Sequence, residues 1–128
     1  MAERTLFIGW GTPVPGREDR ALEVFDDAIG ILGRAEQDGR IVGFDVVLLD
    51  PNRDLNGYIQ VAGTVEQIAA LRAHPEFVRN TADAQLAVAD VRHVEGWAGA
   101  GVNRKMATYR EALGEVAGDP LREVPHYA

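Results

Sequence analysis

The sequence predicts an α+β domain in which a strand, a helix, two strands, a second helix and a last strand follow one another, with one more helix behind them. Three observations carry that expectation. Short runs rich in β-branched and aromatic residues alternate with runs whose apolar residues recur every three or four positions. The turn Pro51-Asn52-Arg53-Asp54 joins two strand-like runs directly, and His74-Pro75 breaks the second helical run. The length of 128 residues suits one domain around a single core.

The elements follow in order. Thr5 to Trp10 is a β-prone run, and Gly11 to Gly16, with Pro13 and Pro15, continues neither strand nor helix. From Arg17, Leu22, Phe25, Ile29 and Leu32 form an apolar stripe flanked by Ala21, Val24, Ala28 and Ile31, which predicts an amphipathic helix ending near Gly39. Its early carboxylates, Glu18 and Asp19, suit the positive end of the helix dipole. Ile41 to Leu49 and Leu55 to Ala62 read as an antiparallel hairpin. With the loop at 51–54, the register sets Val46 opposite Ile59, Phe44 opposite Val61 and Val47 opposite Tyr58. Phe44, Val46, Leu48, Ile59 and Val61 then share the face suited to lie under helices, and Asp45, Val47, Leu49, Asn56, Tyr58 and Gln60 share the other.

Thr64, followed three residues on by Gln67, has the spacing of a capping box and starts the second helix. His74-Pro75 bends or splits that helix, and Pro75 opens a new turn towards Ala82. Gln85 to Trp97 then reads as a long last strand, with Leu86, Val88, Asp90, Arg92 and Val94 on one side and His93, Glu95 and Trp97 on the other. The order βαββαβ is the split βαβ, or ferredoxin-like, plan: a four-stranded antiparallel sheet with both helices on one face. Residues 1–98 form that unit. Residues 99–128 are an extension of the same domain, in which Met106, Tyr109, Leu113 and Val116 predict a third amphipathic helix before Pro120.

Composition narrows the function. Twenty acidic against thirteen basic residues give a net charge of −7, which repels nucleic-acid phosphates and anionic lipid headgroups. Neither nucleic acid nor membrane is expected as a partner, and the aromatic pattern of an RNA-binding sheet is missing from the central strands. No apolar run approaches the length of a span or a secretory core, so a cytoplasmic protein is expected. The absence of cysteine removes disulfides, thiolate nucleophiles and cysteine-ligated metals, and the absence of serine removes serine catalysis. Gly9-Trp10-Gly11-Thr12-Pro13-Val14 resembles the start of a dinucleotide fingerprint, but Val14 stands in place of the third glycine and two prolines stiffen the turn.

With this order, and with Leu71-Arg72-Ala73-His74-Pro75-Glu76-Phe77 leading into the last strand, residues 4 to 98 resemble the dimeric α/β-barrel superfamily. Its members include antibiotic-biosynthesis monooxygenases, YCII-like and EthD-like proteins, haem-degrading monooxygenases and stress-response barrel proteins. The resemblance implies a homodimer in which the helix-free faces of two sheets meet and enclose a cleft. The haem-degrading branch carries an asparagine on its first strand. Here that strand holds Thr5, Leu6, Phe7, Ile8, Gly9 and Trp10, so the resemblance does not extend to that activity.

Within this frame His93 and Glu95 are the best polar pair, two residues apart and so on one strand face. Together with Tyr58 they are the candidate catalytic residues. Asp45, Trp10, Trp97 and His74 are the candidate ligand-binding residues. No third ligand accompanies His93 and Glu95, so neither a metal nor another cofactor is expected. Two uses of these residues stand open. They can line a groove or seam in a protein that binds a small organic ligand or a partner. Alternatively, they can serve a cofactor-independent monooxygenase or isomerase acting on an aromatic or enolisable molecule, with His93 as base and Glu95 orienting it. The second use requires His93 to point away from the helices.

Overall fold

The computed structural model describes residues 2–117. Strand β1 (Arg4–Trp10) leads into helix α1 (Glu18–Gln37), hairpin strands β2 (Gly43–Leu48) and β3 (Gly57–Gly63), helices α2 (Val65–Ala73) and α3 (Pro75–Ala87), strand β4 (Arg92–Trp97) and helix α4 (Ala100–Ala117). The four strands form one antiparallel sheet in the order β2-β3-β1-β4. The β2–β3 register has Phe44 opposite Val61, Val46 opposite Ile59 and Val47 opposite Tyr58, as the turn chemistry predicts.

Strand alternation decides which side chains meet the helices. Leu6 of β1 and Ile59 and Val61 of β3 point to one face and are fully buried, against Leu32 and Ala35 of α1, Ile68 and Leu71 of α2, and Phe77 of α3. Burying each large side chain among them stabilises the fold by about 1.5–3 kcal/mol. A smaller cluster, Ala21 and Val24 of α1 with Ala87 of α3, holds the other ends of the two helices together. The stripe of α1 is rotated from the one the spacing predicts: Ala21, Val24, Ile31, Leu32 and Ala35 are buried, whereas Leu22 is exposed. Past α1, Gly39 adopts a φ of 71°, in the left-handed region that glycine enters without a Cβ penalty, and the chain turns there towards β2.

The helix break falls where the sequence puts it. Thr64 Oγ1 accepts from the Gln67 N–H at 3.1 Å and Gln67 Oε1 accepts from the Thr64 N–H at 2.9 Å, completing the capping box. His74 has extended backbone and caps α3, its Nδ1 accepting from the Glu76 N–H at 3.3 Å. The last strand differs from expectation. Gln85, Leu86 and Ala87 belong to α3, Val88 makes an isolated bridge to Pro13, and β4 begins only at Arg92. The run Thr81-Ala82-Asp83-Ala84-Gln85 favours helix, and Ala84 and Ala87 pack on α1, so tertiary contact overrides the local alternation of apolar residues. Asp90, at φ 55°, turns the chain from α3 into β4.

The predicted C-terminal helix is present as α4, seated on the body by its first turn. Ala98 N–H donates to the Glu3 carbonyl at 2.9 Å, and Arg104 pairs with Glu3. A Cβ at Gly101 would collide with that carbonyl and press on the Trp97 indole, so the close approach requires glycine. No helix among the described residues is long and apolar enough to cross a membrane.

Candidate functional site

A cavity of about 660 Å³ opens between the helices and the sheet, at the end where β1 finishes. Its floor is Ile8 and Trp10 of β1, Leu48 of β2 and Ile59 of β3, and its roof is Ala21, Leu22, Val24, Phe25 and Ala28 of α1. Asn80, Ala84 and Ala87 of α3 and the loop residues Pro51, Asn52 and Asn56 close its sides. The sequence makes this space by setting alanines on the facing surfaces of α1 and α3, where larger side chains would fill it. Trp10 and Phe25 meet edge to face with centroids 5.7 Å apart, a preferred aromatic geometry, and give the cavity an aromatic wall.

The polar groups on that lining are few. Asn80 Nδ2 donates to the Val24 carbonyl at 3.0 Å, which fixes the amide and leaves its Oδ1 as an acceptor. The Asn56 backbone is held on both sides, its N–H donating to the Trp10 carbonyl at 2.8 Å and its carbonyl accepting from the Leu49 N–H at 2.9 Å, so its side chain is presented from a fixed point. Asn52 instead organises its own loop, donating to the Asp50 and Leu55 carbonyls and accepting from the Asp54 and Leu55 N–H groups. Glu18 is the ionisable residue on the described lining. Backbone N–H groups of Glu18 and Gly16 at the start of α1 hold its carboxyl below the usual value. The arrangement is a mostly apolar slot with amides at its edges, the form of a small-molecule site.

Of the seven residues singled out from the sequence, the structure sets Trp10 on this cavity. His93, Glu95 and Trp97 share the helix-facing side of β4, because they pair with Ile8, Leu6 and Arg4 of β1. The His93 ring packs on Phe77 of α3 at 5.4 Å. Glu95 is taken up by two guanidinium groups, Arg72 at 2.5 Å and Arg4 at 3.5 Å, and Arg4 also lies 4.1 Å over the Trp97 indole. Burial, and then the charge of Arg72, lower the His93 pKa. His74 caps α3. Tyr58 and Asp45 lie on the opposite, helix-free face, where Tyr58 stacks on Phe7 at 5.2 Å.

No protein-family model and no curated protein sequence matches the chain. Solved structures do. A dimeric protein of unknown function and ferredoxin-like fold from Bacteroides fragilis is 13% identical at a TM-score of 0.56, over 74% of this chain and 96% of that one. The chain has the ferredoxin-like fold. A hypothetical protein from Arabidopsis thaliana, solved in solution, is 10% identical at a TM-score of 0.62, covering 77% of this chain and 90% of its own. SnoaB, a cofactor-independent oxygenase from Streptomyces nogalater, is 19% identical at 0.51, covering 77% and 95%. The superfamily-level resemblance drawn from the sequence therefore holds for the fold.

The ferredoxin-like sheet explains the division of the candidate residues. The two polar groups expected to converge, His93 with Glu95 and Tyr58 with Asp45, are on opposite faces of the sheet. His93 points under the helices, so the geometry needed for it to act as a base on the helix-free face is not formed. Sequence reading took the helix-free face as the site and so missed the cavity on the other side. Phe25, Leu48 and Asn56 were read as stripe or strand residues, and Asn80 and Ala84 were not singled out. The available signal was the set of alanines at 21, 28, 84 and 87, two on each of two helices that face each other.

Proposed function

We propose that this protein binds a small organic molecule, predominantly apolar, in the cavity between α1, α3 and the sheet, and does so as a homodimer formed through the helix-free sheet faces. The observation that carries the binding role is the 660 Å³ slot walled by Trp10 and Phe25 and edged by Asn56 and Asn80. Its volume is in the range of sites for drug-sized ligands. No lysine, arginine or histidine is among its described lining residues, so nothing there offers a cation to an anionic group. Support for the dimer is the half-exposed helix-free face, with Phe7, Tyr58, Val47 and Val94, and the likeness in fold to a dimeric protein.

Binding is tested with N-phenyl-1-naphthylamine, a neutral apolar fluorophore. The expected result is saturable fluorescence enhancement by the wild type and at least a tenfold weaker response from Ala84→Phe, which fills the slot. A fluorescence response unchanged by that substitution, with the circular dichroism also unchanged, rejects the site.

A second reading, catalysis without a cofactor on the bound molecule, is favoured by the fold-level likeness to SnoaB. Here the reactive molecule would sit against Trp10 rather than beside His93. Oxygen uptake with an electron-rich anthrone, lost in Ala84→Phe, is the outcome that reading requires.

A further inference from the structure

We infer that the molecule bound in the cavity is an aromatic body carrying a protonated amine, with the amine set at the edge of the cavity against Glu18. The inference rests on the small-molecule reading above and names the chemical class that the same site takes. The polar side chains of the lining differ in what they have left to offer. Asn52 is spent within its own loop. Asn80 has given its Nδ2 to the Val24 carbonyl at 3.0 Å, so its Oδ1 is left to accept. Thr12 and Asn56 can donate or accept and select neither sign of charge. Glu18 selects the sign.

Its Oε1 accepts from the Gly16 N–H at 3.1 Å, which holds the carboxylate in place at the start of α1. The Glu18 and Gly16 N–H groups lower its pKa, so it is charged at neutral pH. Among the described residues no lysine, arginine or histidine pairs with it. Arg17, its neighbour in sequence, is turned to the Leu86 carbonyl at 3.1 Å. A second carboxylate stands near the same lining: Asp90 Oδ2 is 3.5 Å from where a Cβ would sit on Gly11, a lining residue. It too is absent from the ion pairs of the described residues, and the adjacent Arg92 donates to the Asp54 carbonyl at 2.7 Å. Asp19, the other carboxylate in the first turn of α1, suits the helix dipole as well as Glu18 does but is not on the lining. An apolar slot that meets unpaired carboxylates, within a chain of net charge −7, repels an anionic ligand and attracts a cationic one. The Trp10 and Phe25 rings favour an aromatic body, and their faces also attract a cation.

The experiment is displacement of N-phenyl-1-naphthylamine from the full chain at neutral pH by three naphthalenes of similar size: 1-naphthylmethylamine, which is protonated, 1-naphthylmethanol, which is neutral, and 1-naphthoic acid, which is anionic. Wild type, Glu18→Gln and Asp19→Asn are compared. In the wild type the amine should displace the probe about fivefold more strongly than the alcohol, the scale of an exposed ion pair, and the acid should be weakest. High salt should shrink the advantage of the amine. That advantage should fall below about twofold in Glu18→Gln and persist in Asp19→Asn. The readout is a ratio taken within one protein, so a variant that folds poorly and binds all three weakly does not imitate the expected result. Where Glu18→Gln does not fold at all, the ratio in the wild type decides. Equal displacement by amine and alcohol in the wild type, or an advantage that survives Glu18→Gln, overturns the inference and leaves the binding role standing. An advantage lost equally in Asp19→Asn makes it a property of the general field rather than of Glu18, and overturns it as well. Failure of N-phenyl-1-naphthylamine to bind the wild type overturns the binding role, and the inference with it.

Discussion

The chemistry of His93 changes between the unfolded and folded chain. In the unfolded state an imidazole titrates near 6.5. Packed on Phe77 and facing the Arg72 charge, it titrates lower, so the folded protein resists protonation that the unfolded chain accepts. The unfolded state then binds more protons in the interval between the two values, and stability rises with pH across it. The contribution is complete above about pH 6.5 and is lost as the pH falls from there towards the folded pKa. His93→Gln removes this dependence. The melting temperature of the variant should fall less than that of the wild type between about pH 7.5 and 5, and parallel curves would show that His93 is not responsible. Glu95, on the same side of the strand, is paired with Arg72 and Arg4. Among the described residues, Thr5 Oγ1 is the buried side-chain oxygen that lacks a hydrogen-bond partner, and it belongs to the helix-free side of β1.

At the scale of elements, the capping box of α2 is the clearest case of sequence chemistry becoming geometry. Thr64→Ala removes the oxygen that accepts from the Gln67 N–H, and the expected loss is about 1 kcal/mol by urea denaturation. A loss below a few tenths would mean that tertiary packing alone fixes the start of α2. Elements like this one were legible because their signals are local. Thr64 and Gln67 lie three residues apart, and the Pro51 to Asp54 turn fixes the hairpin register by counting outward. The α3–β4 boundary was not legible, because Leu86, Val88, Arg92 and Val94 alternate as a strand would, and only the contact of Ala84 and Ala87 with α1 keeps 85–87 helical. Of the residues singled out from the sequence, Trp10 is the one that lines the cavity. Which face of β4 meets the helices depends on its pairing with Leu6 and Ile8, some 85 residues away in sequence, and no local pattern contains that information.

For the whole molecule, the two faces of the sheet divide the work. The helix side carries the core and the cavity, and the helix-free side is the face proposed for association. Filling the cavity and charging the helix-free face should therefore be separable. Ala84→Phe is expected to abolish N-phenyl-1-naphthylamine binding while sedimentation stays unchanged, and Val47→Glu/Val94→Glu, on the helix-free face, to do the reverse. A variant that lost both properties would show that the two faces are coupled through the sheet. The sheet order has a consequence for how the molecule comes into being. The central strand β1 is made first, yet its neighbours are β3 and β4, with Thr5 paired to Ala62 on one side and to Gly96 on the other. During synthesis the opening strand must wait, apolar and unpaired, until β3 emerges, and the sheet cannot close until the chain has reached Trp97. Folding is thus governed by the entropy of closing two long loops, which makes the nascent chain slow to protect its most buried strand.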